Sequence, residues 1–96
     1  MSGYIIYHYN IIDQTRIDQL GPLSLPILDK YSGELVVGSG VKVLEGSSYT
    51  NMVIYKFKSL DVAKAFYESD EAQELSKLRN EITEGYVVFV PEYGSG

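Results

Sequence analysis

The chain has 96 residues, and 13 acidic against 8 basic residues give it a formal net charge of −5 at pH 7. A chain of this length builds one hydrophobic core, so we expect residues 1–96 to form a single domain, with 93–96 as a frayed tail. The acidic balance argues against a nucleic acid partner, because phosphate contacts need clustered Lys and Arg. Cysteine is absent, which excludes disulfides, thiolate metal sites and cysteine nucleophiles.

The N-terminal segment is predicted to be a strand. Gly3 to Ile11 is rich in Tyr and Ile, and these residue types favour strands. The segment before it lacks a basic region followed by a long apolar stretch, so we expect no signal peptide, no membrane span and a cytoplasmic protein. Alternation places Ile5, Tyr7, Tyr9 and Ile11 on one face of the strand, and Tyr4, Ile6, His8 and Asn10 on the other.

A helical region is predicted from about Asp13 to Tyr31. Asp13 is a good N-cap. Gly21-Pro22 and Pro26 interrupt the pattern, because an interior proline lacks the backbone donor that a helix needs. We therefore expect a kinked or two-piece helix, with Pro22 as a candidate start of the second piece. Gly33 follows as a helix stop, and we expect it to adopt a backbone conformation that a β-branched residue would resist.

The middle of the chain predicts strands punctuated by glycines. Glu34 to Ser39 and Val41 to Glu45 read as one bent strand or a strand pair. Gly38 and Gly40 then mark a bulge or a tight turn.

A further strand is predicted over Met52–Lys58, after a loop over Ser47–Asn51. Its alternation separates Val53, Tyr55 and Phe57 from Met52, Ile54, Lys56 and Lys58. The first set is the more apolar and aromatic, so we expect that face to lie under the helices.

The C-terminal third predicts a broken helix and a last strand. Ser59 caps the first helical piece. Asp70 restarts the helix, and Gln73 completes a variant capping box. Gly85 ends the helical region, and Tyr86–Pro91 forms the last strand.

The predicted order β-α-β-β-α-β indicates an α+β fold of the ferredoxin-like type, an antiparallel sheet with helices on one face. The first and third strands are then central. The face of the sheet away from the helices is half apolar, with Tyr4, Ile6, Met52 and Ile54 on it. An exposed apolar patch usually marks an interaction surface, so we expect a homodimer formed through this open face.

The chain resembles a bacterial family of uncharacterised proteins, the domain of unknown function numbered 1330, within the dimeric α/β-barrel superfamily. The resemblance covers nearly the whole chain. Its most specific part is an aromatic residue before Tyr67, then Tyr67-x-Ser69-x-Glu71-x-Gln73 and Leu78-Arg79. It is also carried by Gly3-Tyr4, Pro26 five residues before Tyr31, Gly33 and Leu44-Glu45-Gly46. The resemblance implies two ferredoxin-like subunits packed sheet to sheet, and the superfamily includes cofactor-independent monooxygenases and isomerases.

This chain departs from the family pattern at several positions. The family usually carries Arg where this chain has Gly38, two glycines in place of Ser39-Gly40, and Pro in place of Asp70. A Trp-x-Pro-x-Arg segment of the family is replaced here by Ser48-Tyr49-Thr50-Asn51. If the two family arginines hold an anionic group, the resemblance implies that this chain has lost that role.

Four residues are candidates for a site. His8 is the single histidine and a candidate general base, since its ordinary pKa is near neutral; its alternative role is packing at a dimer interface. Arg79 is a candidate to hold a carboxylate or phosphate, and its alternative role is to favour a helix C-terminus or to pair with Glu45 or Glu81. Tyr67 is a further predicted substrate-binding residue, and Tyr31 is predicted to form a wall of the site.

Two function classes follow from these residues. One is a small-molecule site that binds or converts a small aromatic or keto acid without metal or other cofactor. The other is a non-catalytic binding or structural module. A metal site is not expected, because the sequence offers one His, no Cys and no ligand spacing. RNA binding is rejected as well, because Met52–Phe57 lacks the glycine and aromatic pattern of the second RNA-recognition motif.

Overall fold

A computed structural model of the protein describes residues 1–46 and 48–94. The helical elements are a 3-10 helix Ile17–Gln19, α1 Leu20–Lys30, α2 Leu60–Glu68 and α3 Asp70–Ile82. The strands are β1 Gly3–Ile11, β2 Glu34–Gly40, β3 Asn51–Phe57 and β4 Thr83–Pro91. None of the helices in the described residues is long and apolar enough to cross a membrane.

The strands form one antiparallel sheet in the order β2-β3-β1-β4. The predicted ferredoxin-like α+β fold is therefore confirmed, with β1 and β3 in the centre. Helices cover one face of the sheet, and the core lies beneath them. Its buried members include Ile5, Tyr7, Tyr55, Phe57, Ala63 and Phe66. The predicted alternation of β1 and β3 is confirmed by this set.

The chain enters α1 differently from the prediction, because Asp13 is not a helix N-cap. Its carboxylate accepts hydrogen bonds from the Thr15 amide at 3.0 Å and the Thr15 hydroxyl at 2.5 Å, which closes a short turn of the kind that Asp favours. The other carboxylate oxygen pairs with Arg16 at 2.6 Å. Helical structure begins only at Ile17, as a 3-10 turn, and the break comes before Leu20 rather than at a proline.

The two prolines are tolerated within α1. Pro22 is its third residue, where the missing amide would have no intrahelical acceptor. Pro26 lies inside the helix, which continues to Lys30. The helical region thus ends where it was predicted to end and consists of two pieces, as predicted. Neither proline marks the boundary between the pieces.

The stop after α1 places the left-handed residue one position earlier than predicted. Ser32 has φ 54°, and the amides of Ser32 and Gly33 donate to the carbonyls of Asp29 and Leu28 at 3.1 and 3.0 Å. This is the Schellman arrangement, with Ser32 where glycine is usual. Gly33 has no positive φ. It is constrained by packing, since a Cβ there would overlap Leu28 and lie 2.8 Å from Phe57 Cε1.

The segment predicted as one bent strand or a strand pair forms the single strand β2. β2 ends at Gly40, and the predicted continuation over Val41–Glu45 is not a strand. The register shift falls between Leu35 and Val37, so the bulge is at neither glycine. β2 is an edge strand whose residues are all exposed, and sequence alternation gives little guidance there. Part of the loop predicted over 47–51, Ser47 itself, lies outside the described residues.

Ser69 joins the two C-terminal helices. Its hydroxyl donates to the Phe66 carbonyl at 2.7 Å and accepts from the Ala72 amide at 3.2 Å, so it ends α2 and caps α3. The cap predicted at Asp70 is wrong by one residue. Gln73 forms no capping box, because its side chain donates to the Tyr67 carbonyl at 2.7 Å. The predicted cap of α2 is confirmed: the Ser59 hydroxyl accepts from the Val62 amide at 3.2 Å.

β4 begins immediately after α3, so the helical region ends at Ile82 and not at the predicted Gly85, which lies inside the strand. Gly85 is opposite Tyr9 in the sheet, and a Cβ at this position would overlap the His8 carbonyl oxygen. Close approach of two strands therefore explains this glycine. Tyr93, in the predicted tail, is fully exposed, and residues 95–96 of that tail lie outside the described residues.

Candidate functional site

A cavity of about 470 Å³ lies between the helix-covered face of the sheet and the helices. This volume is within the range of about 300–1,000 Å³ that is usual for small-molecule sites. Its lining includes an inner wall of buried side chains and a rim of exposed ones. The inner wall includes Tyr7, Tyr55, Phe66, Ala72, Ser76 and Thr83, and the rim includes Asp18, Gly21, Leu25, Leu35, Gly38 and Ser39.

The strands bring several tyrosines to the cavity. Tyr7 and Tyr9 project from β1 and Tyr55 from β3, all on the face that alternation assigns to the helices. Burial raises the pKa of Tyr7, and the positive charge of Arg79 opposes that rise. Burial likewise raises the pKa of Tyr55, against the effects of Ser24 and Arg79. These phenols are therefore neutral hydrogen-bond donors at ordinary pH.

Tyr7 has a hydroxyl group available to a ligand. The side chain is only 6% exposed, yet within residues 1–46 and 48–94 its hydroxyl makes no hydrogen bond. No side-chain polar atom in this part of the chain is both fully enclosed and without a partner. The Tyr7 hydroxyl is therefore not fully enclosed, and Tyr7 is part of the cavity lining.

Arg79 supplies the positive charge at the cavity. It lies in the last turn of α3, and its guanidinium donates to the Ser76 hydroxyl at 3.1 Å. The guanidinium carbon is 4.7 Å from the centre of the Tyr7 ring, a cation–π distance. Within the described residues no carboxylate pairs with Arg79, and Glu81 pairs with Arg16 instead. An arginine held in this way can accept a carboxylate from a ligand.

The other predicted substrate-binding residues take different positions. Tyr67 lines the cavity, and its ring meets Phe89 edge to face at 5.6 Å between centroids. Tyr31 does not line the cavity; its ring packs against Phe66 at 5.9 Å. The structure thus brings Tyr67 and Arg79 to one cavity and places Tyr31 behind one of its walls.

His8 lies on the opposite face of the sheet. It is opposite Met52 on β3 and Tyr86 on β4, and only 8% exposed. Nε2 is 3.2 Å from the Tyr49 carbonyl, and Nδ1 is 2.9 Å from the Tyr86 hydroxyl. A carbonyl only accepts, so in the neutral ring Nε2 carries the proton and Nδ1 accepts from Tyr86. His8 and Arg79 are therefore not brought together.

The described residues hold no group of three or more His, Cys, Asp or Glu side chains placed to bind a metal ion. Among the described residues, the polar side chains that line the cavity carry hydroxyls, the Asn51 carboxamide, the Arg79 guanidinium and, at the rim, the Asp18 carboxylate.

Sequence reasoning did not name Tyr7, Tyr9, Tyr55 or Ser76 as site residues. A signal for them was present. The alternation placed three hydroxyl-bearing rings on the face under the helices, where fully apolar side chains are more usual. Ser76 precedes Arg79 by three residues, which puts the two side chains on one helix face.

Comparison with known proteins identifies the family and the fold. Residues 2–93 match the family model described as "Domain of unknown function (DUF1330)", which confirms the resemblance seen in the sequence. A search of curated proteins gives no match.

Similar solved structures include a protein of unknown function from Rhodopseudomonas palustris, with TM-score 0.75, 12% identity and coverage of 95% of this chain and 82% of that one. A hydroxynitrile lyase from Passiflora edulis has TM-score 0.66 and 17% identity, with 99% and 95% covered. A dimeric ferredoxin-like protein of unknown function from Thermobifida fusca has TM-score 0.57 and 13% identity, with 96% and 92% covered. At these identities the likeness shows the fold.

Proposed function

The chain belongs to the DUF1330 family, and on that premise we propose that it is a homodimer whose subunits each bind a small organic acid in the cavity between sheet and helices. The observation that carries this proposal is Arg79. Arg79 lines the cavity, and its guanidinium has no carboxylate partner in the described residues. A ligand carboxylate would supply the missing charge.

The cavity wall defines the rest of the ligand. The rings of Tyr7, Tyr55 and Phe66 offer faces and edges to an apolar or aromatic body. Neutral phenol hydroxyls, with that of Tyr7 unpaired in the described residues, can donate to a keto or carboxylate oxygen. A small aromatic or keto acid fits this combination, and its binding needs no metal.

The sequence also names His8 as a general base, and this stays a prediction. Because its ring is on the other face of the sheet, a reaction at His8 would occur away from the cavity, near the proposed contact between subunits. Acid binding at Arg79 and chemistry at His8 are therefore separable hypotheses.

Acid binding can be tested with the two arginines of the chain. Calorimetric titration of the parent with phenylacetate, phenylpyruvate and benzoate is expected to give binding that Arg79→Gln weakens by about tenfold or more, the effect of losing a charge-assisted pair. Arg16→Gln is the matched control, because Arg16 pairs with Asp13 and Glu81 outside the cavity. Equal binding by both variants would contradict the proposal. No binding of any acid by the parent would favour the structural-module alternative.

The dimer is proposed through the open face of the sheet. Beside Ile6 and Ile54, this face presents Val37, Tyr86 and Val88, which are 36%, 48% and 39% exposed in the single chain. The similar protein from Thermobifida fusca is described as dimeric. Face-to-face packing of two such sheets would give an isologous contact.

Sedimentation at micromolar concentration tests this arrangement. Ile54→Asp and Val88→Asp should each dissociate the dimer, since they place an unpaired charge in an apolar contact. Val88 is already partly in water, so its variant should leave the subunit folded. Leu23→Asp is the control, because Leu23 is 49% exposed on α1, away from the open face. A parent that sediments as a monomer would overturn the dimer.

A further inference from the structure

The glycines of this chain differ in whether the local structure requires glycine. A Cβ on Gly3 would lie 2.5 Å from Leu60 Cα, and a Cβ on Gly33 or Gly85 would overlap Leu28 or the His8 carbonyl oxygen. Gly46 and Gly94 have φ of 84° and 85°, where glycine is favoured. Each of these five positions has a local structural requirement for glycine.

Gly21 and Gly38 have no such requirement, and neither has Gly40, which does not line the cavity. A Cβ on Gly21 would meet nothing within 4 Å, and one on Gly38 would meet only the side chain of Leu35, at 3.4–3.8 Å. Neither has a positive φ. Gly21 is the second residue of a helix, and Gly38 lies in a strand, where glycine weakens the element.

Both glycines line the cavity, from different elements. Gly21 belongs to α1 and Gly38 to β2, and both are exposed where the inner wall is buried. Side chains at these two positions would occupy the rim. Their absence leaves the rim free of side chains at these two positions.

From this placement we infer that Gly21 and Gly38 set the length of the ligand, and that the natural ligand is an acid whose apolar body extends from Arg79 out through the rim. This rests on the proposed binding of an acid at Arg79. The rim side chains Leu25 and Leu35, 44% and 50% exposed, would cover the part of the body that passes between them. Each CH₂ group buried there would strengthen binding by about fourfold at most.

The test uses phenylacetate, 4-phenylbutanoate and 6-phenylhexanoate with the parent and with Gly21→Leu and Gly38→Val. In the parent, affinity should rise along the series. In both variants the longest acid should lose about tenfold in affinity while phenylacetate changes by less than about twofold, because only the longer acids reach the rim. Gly40→Val is the matched control: Gly40 is in β2, does not line the cavity, and has room for a Cβ, 3.6 Å from the Thr50 carbonyl.

Gly21→Ala and Gly38→Ala add smaller side chains at the same two positions. Thermal unfolding of each variant shows whether it is folded. Equal losses for short and long acids, or no loss with the long acid, would overturn the inference about the rim while leaving acid binding at Arg79 in place. A parent that binds acids with no increase along the series would overturn it as well. If the parent binds none of the acids, or binds them no better than Arg79→Gln does, the proposed function is overturned and this inference with it.

Discussion

At the scale of single residues, Tyr7 is a buried phenol with no hydrogen bond in the described part of the chain. Burial raises its pKa above the ordinary value of 10.0, so it stays neutral in the folded protein at a pH where the unfolded chain ionises. A group with a raised folded pKa contributes stability below pH 10 and loses it as the pH rises through its folded value. Part of the alkaline unfolding of this protein should therefore come from Tyr7.

Tyr7→Phe tests that contribution. At pH 7 the variant should be within about 1 kcal/mol of the parent, because no hydrogen bond is lost and the ring beside Arg79 is kept. Above pH 10 its free energy of unfolding should fall less steeply than that of the parent. Denaturant unfolding between pH 7 and pH 11 measures both, and parallel curves for the two proteins would contradict the prediction.

Gly33 is required for packing, not for its backbone angles. Gly33→Ala should destabilise by about 1–3 kcal/mol, the usual cost of an overpacked site, because Leu28 and Phe57 occupy the space of a Cβ. Ser32→Gly should be neutral or stabilising, since Ser32 holds the positive φ. Thermal unfolding distinguishes the two; an unaffected Gly33→Ala together with a destabilised Ser32→Gly would reverse the assignment.

At the scale of elements, the turn before α1 depends on a charged side chain. The hydrogen bond from Thr15, and then that from Arg16, lower the pKa of Asp13 from 3.8 to about 2. A depressed folded pKa gives stability that is present above pH 3.8 and is lost as the pH falls through 2. Asp13 should therefore anchor the turn, and through Arg16 and Glu81 the end of α3, at all but acidic pH.

Asp13→Asn tests this anchor, because the amide oxygen can still accept from the Thr15 backbone while the charge is gone. The melting temperature of the variant should be below that of the parent at pH 7, and the two should approach each other between pH 4 and pH 2. A difference that stays constant down to pH 2 would show that the Asp13 charge is not what stabilises the turn.

Elements with strong periodicity or a clear cap could be predicted from the sequence. β1 has the predicted limits Gly3 and Ile11, and Ser59 caps α2 as expected. The errors arose where neighbouring residues offer equivalent chemistry. Ser69 and Asp70 both have side chains that can cap α3, and Asp13 can either cap a helix or close a turn. Only the packed structure decides which of these local hydrogen bonds form.

The candidate site could be predicted only in part. Alternation placed His8 on the open face and α3 carries Arg79 on the other, so their separation was already implied by the predicted fold. The cavity was not predictable, because it depends on how far the helices stand from the sheet. The periodicity of the sequence gives no information about the distance between the helices and the sheet.

At the scale of the whole molecule, the two faces of the sheet have different roles in the proposed assembly. The helix-covered face lines the cavity with Arg79, where the acid is proposed to bind, and the open face carries His8 and Tyr86, where the subunits are proposed to meet. Because β1 contributes alternate residues to both, a change on one face need not disturb the other. The separation makes the two proposals independent in experiment.

His8→Ala should therefore weaken the dimer but not acid binding, and Arg79→Gln should weaken acid binding but not the dimer. His8→Ala leaves the Tyr86 hydroxyl without its partner in the subunit contact, and a polar group stranded in this way costs about 1–3 kcal/mol. It should weaken the dimer in sedimentation equilibrium by about tenfold or more, while the affinity for phenylacetate stays within about twofold of the parent. Arg79→Gln should weaken phenylacetate binding and leave the dimer intact. Loss of acid binding in His8→Ala with the dimer preserved would instead connect His8 to the ligand, and would support the prediction that it acts as a base.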